Sequence, residues 1–434
     1  MKLTGFLFAA ALLGACTQAA EENYTRHVDP KIGTGGHGHV FVGANVPFGL
    51  VQVGPTSIPQ TWDWCSGYHA SDSTVIGFSH THLSGTGIGD LFDVTVMPVT
   101  GDVTYARGEE ADPASGLWSY ADRTQEIARP GYYSVPLTRY GIRAELTATA
   151  RVGLHRYTFP ASDAAAVVFD LENGGCWDKA TETHLAKEGD RTVTGWRHST
   201  GWAKDQRVYF AAEFSKPFEK FETIGDNYAR ASFRTTDGEQ VSLKVALSPV
   251  SVEGAKANLA AELSGWDFDA TAAAADKAWN DELSKVKIET EDETSKRIFY
   301  TALYHTMVAP SLFCDVNGDY RGADGKVHEN PGRDTYTTFS LWDTYRAAMP
   351  LMTVLHPERM PDIIQTMLHI ADEQGRLPVW HLWGNETDCM VGNPGIVAVA
   401  DAIVKDIPGF DREKAFEAIR KTCLLYTSPS PRDS

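Results

Sequence analysis

The feature that most constrains the fold is a change in hydrophobic period near residue 271. From about Val28 to Val252, short stretches alternate apolar and polar residues or run apolar, and Gly, Asn, Asp and Pro punctuate them. This pattern is typical of β-strands, and their spacing favours a large β-sandwich over βαβ units. The clearest strands are predicted at residues 152–159, 165–171, 207–214 and 241–247.

From about Thr271 the apolar residues recur three and four positions apart, the period of amphipathic helices. Pro361 and Pro394 fit first helical positions, and Gly375 fits just past a helix end. Helices are predicted at residues 272–283, 295–307, 338–355, 361–374 and 394–405. The predicted fold class is therefore multidomain β + α, with an N-terminal β-sandwich followed by a partial (α/α)6 toroid.

The two periods give the predicted domains. The N-terminal β-sandwich domain covers residues 21–268, a helical linker 269–293, and the partial catalytic toroid 294–422. Residues 423–434 lose the helical period in a Ser/Pro run that resembles translated sequencing adapter. We therefore expect a non-native tail on a chain whose gene continues, the alternative being a natural disordered tail.

Residues 1–20 have the features of a targeting segment. Met1-Lys2 is positive, residues 6–13 are apolar, and Leu13-Gly14-Ala15-Cys16 resembles a bacterial lipobox, whose cysteine is lipidated. An ordinary secretory signal with an incidental cysteine is the alternative. We expect an exported lipoprotein at the outer membrane, cell surface or periplasm, with Cys16 as the lipidation site.

Charge and hydropathy restrict the partners. The formal net charge of −18 argues against nucleic acid, since a phosphate binder needs a basic face. After the N-terminus no apolar run reaches the roughly 18 residues of a membrane span. Membrane contact is therefore expected only through the N-terminal lipid anchor.

One loop stands out chemically. Glu386 lies between two helical patterns, in a stretch with Trp380 and Trp383. Indole faces can hold a sugar ring, and a carboxyl group set among apolar rings suits a general acid. The alternative for a single loop glutamate is a solvated charge or a helix cap. Asp388, two residues on, is expected to form loop hydrogen bonds.

Five blocks in order resemble glycoside hydrolase family 92, the calcium-dependent exo-acting α-mannosidases. They are D-P-K-I-G-T-G-G-H-G-H-V-F-V-G-A-N-V-P-F-G-L-V-Q-V-G-P (29–55), W-D-W-C-S-G-Y-H (62–69), G-F-S-H-T-H-L-S-G-T-G (77–87), F-S-L-W-D-T-Y-R-A (339–347) and the segment at 384–392. The resemblance implies inverting removal of terminal α-linked mannose from glycans. It also implies Ca²⁺ as cofactor, with the catalytic base and most calcium ligands falling beyond residue 422. We therefore expect this chain to be inactive by itself.

The resemblance also implies roles for single residues. Glu386 matches the general acid, and Trp64 matches an aromatic residue that lines the mannose subsite, with Tyr68 and His69 beside it. Asp343 matches a residue directed at sugar hydroxyls. Two more substrate-binding residues of the same motif are Arg346 and Trp342. Since Asp343 and Arg346 lie three apart on a predicted helix, an intrahelical ion pair is the alternative.

Two other functions stay open. A surface lipoprotein that binds glycans without hydrolysis would keep the aromatic pocket. A zinc-dependent hydrolase could be built on the histidine pairs, whose i, i+2 spacing puts both rings on one face of a strand. That hypothesis uses His37, His39, His80 and His82, with Asp90 and Asp93 nearby.

Overall fold

The computed structural model describes residues 22–58, 61–112 and 114–427. The predicted signal segment, with Cys16, lies outside the described residues, as do residues 428–434. Within the described chain, no helix combines the length and apolar character needed to cross a bilayer.

The N-terminal domain is built on two antiparallel sheets, as predicted. In the described residues one sheet has six strands, in the order Gly54–Thr56, Gly77–Ser79, Thr95–Thr100, Ser162–Asp170, Tyr228–Thr235 and Lys220–Ile224. The other has eight, in the order Lys179–Glu188, Thr192–Thr200, Gln206–Phe214, Glu239–Ser248, Val152–Phe159, Ile142–Ala148, Tyr132–Leu137 and Ile127–Arg129.

The two sheets pack face to face because one side of each strand is apolar. Phe169 of the six-stranded sheet stacks on Phe210 of the eight-stranded sheet, with ring centroids 6.0 Å apart, and meets Phe214 at 6.1 Å. All three side chains are fully buried. Large aromatic residues of this kind contribute much of the free energy of folding.

Helices dominate the chain after the last strand of the sandwich. The described residues hold eight: α1 Val252–Glu262, α2 Phe268–Leu283, α3 Glu293–His305, α4 Leu341–Thr344, α5 Ala348–Leu355, α6 Met360–Gln374, α7 Pro394–Val404 and α8 Arg412–Thr427. Pro at the start of α6 and α7, and Gly375 with φ +91° after α6, confirm the predicted helix ends. In the helical domain α7 packs against α5, α6 and α8, and α6 packs against α8.

The predicted helix at residues 338–355 is wrong as a single element. Residues Phe339–Ser340 form a strand, α4 lasts one turn, and α5 begins at Ala348. The strand exists because it pairs with Trp380–Leu382, a contact across 40 residues that periodicity does not reveal.

The linker helices join the domains into one core. The Trp279 indole of α2 donates to the Asn45 carbonyl (2.7 Å) and contacts the ring of Tyr304 in α3 (4.3 Å). The main-chain amide of Tyr24 donates to the side chain of Asn280 (2.7 Å). Buried apolar contacts continue from the sandwich through α2 into α6. The two domains therefore share an apolar interface.

Candidate active site

A cavity of about 160 Å³ lies between the two domains. Its volume resembles the roughly 150 Å³ that holds one benzene molecule and falls below the roughly 300–1,000 Å³ of drug-sized pockets. It therefore suits a ligand of one ring. Its lining comes from the 83–86 loop of the N-terminal domain and, in the helical domain, from the end of α3, residues 309–310 and 338–340, α4, α5 and Trp380.

The N-terminal wall of the cavity is held by a second segment of its own domain. The amide of Gly85 donates to the carbonyl of His39 (2.7 Å), and the Ser84 hydroxyl accepts from the amide of Phe41 (3.2 Å). The indole of Trp62 donates to the carbonyl of Gly87 (2.8 Å). Three of the blocks that resemble the mannosidases thus meet at this wall.

Asp343 lies at the cavity, as its predicted role requires. It belongs to α4, is exposed, and accepts a hydrogen bond from the Ser340 hydroxyl on one carboxylate oxygen (2.6 Å). The exposed carboxylate can accept hydrogen bonds from sugar hydroxyls.

Arg346 and Trp342 do not join Asp343 in lining the cavity. Because α4 ends at Thr344, the helical i, i+3 argument for Asp343 and Arg346 is wrong. Arg346 is exposed, with its guanidinium 5.9 Å from the ring of Tyr345, and Trp342 is half-buried. Their substrate-binding roles stay predictions.

Glu386 sits in a tight hairpin rather than an open loop. Strands Trp380–Leu382 and Asn385–Glu386 are joined by Trp383 and Gly384, whose φ angles are +47° and +77°. Positive φ at both residues is the signature of a type I′ turn, which matches the twist of paired strands.

The Glu386 carboxylate binds the hairpin's own backbone. It accepts from the amides of Val379 (2.8 Å), Trp380 (2.9 Å) and Asp388 (3.0 Å). Both carboxylate oxygens are therefore engaged, and Glu386 is outside the lining of the cavity. In this conformation the side chain fastens the hairpin, so a proton-donating role requires it to leave these amides.

The two tryptophans of this stretch have different surroundings. Trp380 lines the cavity and meets Trp202 of the N-terminal domain edge to face, with centroids 4.7 Å apart at 65°. Trp383 is buried against Phe313 at 5.3 Å. The predicted pair of indole walls therefore reduces to Trp380 at the cavity.

A loop of the N-terminal domain holds the hairpin from outside. The Asn385 side chain accepts from the amide of Asp205 (3.0 Å) and donates to its carbonyl (3.0 Å). Together with the contact between Trp202 and Trp380, this gives the hairpin two attachments to the sandwich.

Trp64 and His69 form a cluster within the N-terminal domain. The Trp64 indole donates to a carboxylate oxygen of Asp72 (2.7 Å), and its ring stacks on His69 at 4.4 Å and 21°. Both lie outside the cavity lining. Nearby Tyr68 is buried and donates to Glu126 (3.0 Å). The substrate-binding roles of Trp64 and His69 stay predictions.

The zinc hypothesis is not supported by the geometry. His80 bonds the Val94 carbonyl (2.6 Å) and His155 (2.9 Å), and His82 bonds the Gln52 carbonyl (2.8 Å). Burial lowers the pKa of His80 to about 3 and that of His82 to about 4.

The remaining members of that hypothesis lie in other interactions. His37 pairs with Asp63 (2.5 Å), Asp93 pairs with the buried Arg197 (2.7 Å), and Asp90 accepts from the amide of Ala203 (2.8 Å). His39 is buried with its Nε2 atom 3.5 Å from Asp63. These side chains serve structural contacts.

A further group of potential calcium ligands lies outside the cavity lining. Among the described residues, Glu282, His356 and Glu358 bring ligand atoms close together. The ammonium group of Lys285 lies 2.7 Å from Glu282 and 2.8 Å from Glu358, and the guanidinium of Arg359 lies 3.5 Å from Glu282, so two cations already balance the two carboxylates. Calcium requires six to eight oxygen ligands, so this cluster does not fit the ion.

Sequence reasoning missed His305, which lines the cavity from the end of α3, and Trp202 and Asn385, which attach the hairpin. The Y-H-T-M segment at the end of a helical pattern was the available signal for His305. Contacts between sites 180 residues apart, such as that of Asn385 with Asp205, leave no local signal.

Comparisons with known proteins identify relatives of both domains. Residues 27–248 match the profile of the glycosyl hydrolase family 92 N-terminal domain, and residues 254–432 match that of the family 92 catalytic domain. The first match ends at residue 248 and the second begins at residue 254, and the predicted domain boundary at residue 268 stays a prediction.

Solved structures with the same fold include a family GH92 α-mannosidase from Bacteroides thetaiotaomicron in complex with mannoimidazole. It is 38% identical with a TM-score of 0.89, over 93% of this chain and 56% of that chain. A family GH92 inverting mannosidase from the same organism is 28% identical with a TM-score of 0.81, over 91% and 55%.

A curated relative is an uncharacterized secreted glycosidase from Arthroderma benhamiae. It is 26% identical, over 97% of this chain and 55% of the relative. The chain thus spans about half the length of the relatives it matches.

Proposed function

Because the chain belongs to glycosyl hydrolase family 92, we propose that it acts on terminal α-linked mannose of glycans, with inversion. The observation that carries this proposal is the one-ring cavity between the domains, with Asp343 and Trp380 in its lining. A cavity of about 160 Å³ has room for a single terminal sugar, which agrees with exo action. Solved relatives described as an α-mannosidase bound to mannoimidazole and as an inverting mannosidase support the substrate and the stereochemistry.

Three residues have proposed roles, two of them at the cavity and one, Glu386, in the adjoining hairpin. Asp343 accepts hydrogen bonds from mannose hydroxyls, and the Trp380 ring forms an apolar wall for the sugar ring. Glu386, the proposed general acid, leaves the amides of the hairpin to protonate the leaving oxygen. Glu386 must therefore change conformation before it can act, whereas Asp343 already lies at the cavity.

We further propose that the 434-residue chain by itself does not turn over α-mannosides. Inversion requires a second carboxylate about 6.5–9.5 Å from the acid to activate water. Asp343, proposed to bind sugar hydroxyls, is the one acidic residue among the described residues that line the cavity. The same observation favours the second candidate function, glycan binding without hydrolysis.

Calcium dependence and membrane anchoring complete the proposal. Since Glu282, His356 and Glu358 already contact Lys285, calcium ligands are expected elsewhere. Lipidation of Cys16 would hold the protein at the bacterial surface or outer membrane, and the secreted relative supports export.

Binding and turnover of mannosides test these proposals separately. Mannoimidazole is titrated into the purified chain by calorimetry, and Asp343→Asn is expected to weaken binding at least about tenfold, the loss of roughly one charge-assisted hydrogen bond. Asp401→Asn, which changes an α7 carboxylate paired with Lys405, serves as the matched control. Equal affinity in wild type and Asp343→Asn contradicts the role of Asp343.

Turnover is measured on the same preparation with an α-linked mannobiose. We expect no mannose release above the spontaneous rate, and release that depends on Glu386 contradicts the inactivity of the chain.

A further inference from the structure

We propose that His305 is a further substrate-binding residue, whose Nε2 atom hydrogen-bonds a hydroxyl group of the terminal mannose. The inference rests on the proposed function of the cavity and extends it to a residue outside the motifs that resemble the mannosidases. The juxtaposition that supports it is an imidazole whose Nε2 atom is unpaired, on a residue that lines the same cavity as Asp343 and Trp380.

The backbone around His305 is fixed from both sides. Tyr304 is fully buried, contacts Trp279 at 4.3 Å and donates to the side chain of Asn45 (3.3 Å). On the other side, the hydroxyl of Thr306 donates to the carbonyl of Leu303 (2.7 Å). The end of α3 therefore presents His305 to the cavity from a rigid position, as a binding residue requires.

The imidazole has an unmet hydrogen-bonding capacity. Its Nε2 atom is buried and has no hydrogen-bond partner among the described residues. Leaving such an atom unpaired costs roughly 1–3 kcal/mol, so each case calls for an explanation. A sugar hydroxyl both donates and accepts and can therefore satisfy either neutral tautomer of the ring.

The charge state of the ring agrees with this role. Burial lowers the pKa of His305 to about 4, so the ring is neutral at physiological pH. Across the same cavity lining, the side chains of Ser84, Thr86 and Asp343 offer further hydroxyl and carboxylate partners. His305 and Asp343 together would then bind hydroxyls of one sugar through a neutral and a charged group.

Two other histidines of the helical domain, one buried and one half-buried like His305, have unpaired ring nitrogens among the described residues but lie outside the cavity lining. His381 is one, and His369, whose ring stacks on Tyr320 at 5.8 Å and 7°, is the other. His369 therefore offers a control that is matched in residue type, burial and lack of a partner.

The test measures mannoimidazole binding by calorimetry for the 434-residue chain and its variants. We expect His305→Ala to weaken binding at least about tenfold, His305→Gln to recover part of the loss, and His369→Gln to bind as wild type. If His305→Ala binds mannoimidazole with wild-type affinity, the proposed contact of His305 is contradicted and the proposed function of the cavity is not. A wild-type chain that fails to bind mannoimidazole contradicts the proposed function and, with it, the contact.

A second measurement covers variants that do not fold. In wild-type protein with ¹⁵N-labelled histidine, the Nε2 resonance of His305 is expected to shift on saturation with mannoimidazole while the His369 resonances stay in place. An unchanged His305 resonance in the saturated protein overturns the inference.

Discussion

The Glu386 carboxylate is solvated by main-chain amides of its own hairpin. Three amide groups donate to its carboxylate, which as an ionised acceptor can satisfy all of them. The sequence marked Glu386 as chemically notable but could not show this arrangement, because it depends on the turn at Trp383 and Gly384. Asp343 lies at the cavity, close behind the strand Phe339–Ser340, and its substrate-binding role stays a prediction.

Glu386→Gln is therefore expected to lower the free energy of unfolding, in addition to any effect on catalysis. One side-chain oxygen becomes an NH₂ group facing an amide donor, so the free energy of unfolding should fall by roughly 2 kcal/mol, the value of a hydrogen bond to a charged group. Urea denaturation measures the loss. Glu417→Gln, an exposed α8 residue paired with Arg420, is the control and should stay within about 0.5 kcal/mol. Wild-type stability in Glu386→Gln contradicts the fastening role.

The two roles of Glu386, fastening the hairpin and acting as the general acid, can be separated in a protein that carries these residues and hydrolyses mannosides. If Glu386 also acts as the acid, Glu386→Gln should abolish hydrolysis of mannosides with poor leaving groups, while activated aryl mannosides lose less. Equal loss on both substrates, measured as kcat/KM, counts against the acid role and leaves the fastening role.

At the level of elements, helices were predicted well where local signals decide them. The α6 and α7 helices have proline at their start, and α6 has glycine after its end, so their limits follow from local chemistry. The strands at Phe339–Ser340 and Trp380–Leu382 were missed because two- and three-residue strands exist only through their pairing. The candidate site lies at these missed elements, which explains why its residues were harder to predict than the fold.

The attachment of the hairpin to the N-terminal domain gives a prediction at this scale. Asn385→Ala removes both hydrogen bonds to the backbone of Asp205 and should increase hydrogen exchange of the Asp205 amide several-fold. Exchange in the central strand Val152–Phe159, measured by mass spectrometry, is the internal control and should not change. Unaltered exchange at Asp205 shows that the attachment does not depend on Asn385.

For the whole molecule, a buried carboxyl group joins the domains. Asp315 accepts from the side chains of Ser248 (2.8 Å) and Asn258 (2.8 Å), which lie at the end of the sandwich and in α1. Burial raises the pKa of Asp315 from 3.8 to about 6, against the opposing effect of these hydrogen bonds. The sequence predicted a sandwich followed by helices, but this junction depends on residues far apart in the chain.

Asp315 should make stability depend on pH. Because its pKa is higher in the folded than in the unfolded protein, its stabilising effect is complete below pH 3.8 and is lost as pH rises through about 6. In Asp315→Asn, which does not titrate, the Tm relative to wild type should therefore rise between pH 4 and pH 7. Over the whole titration, the free energy of unfolding of wild type should fall by about 3 kcal/mol relative to that of Asp315→Asn.

Glu282→Gln provides a control with the opposite sign. Although burial opposes ionisation, hydrogen bonds from His356 and Lys285 lower the pKa of Glu282 to about 2. Its contribution is present above its ordinary pKa of 4.5 and is lost as pH falls through about 2, so the Tm difference from wild type should be flat from pH 5 to pH 8. If the Tm difference between Asp315→Asn and wild type is also independent of pH, the assigned titration of Asp315 is contradicted.

The closely packed indoles of Trp202 and Trp380 also provide an intrinsic optical signal. Two indoles with centroids 4.7 Å apart, one from each domain, are close enough for their electronic transitions to couple. The coupled circular dichroism signal should vanish in Trp202→Phe and should weaken in any state that separates the domains. The opening of the cavity can therefore be followed in real time without attaching a dye.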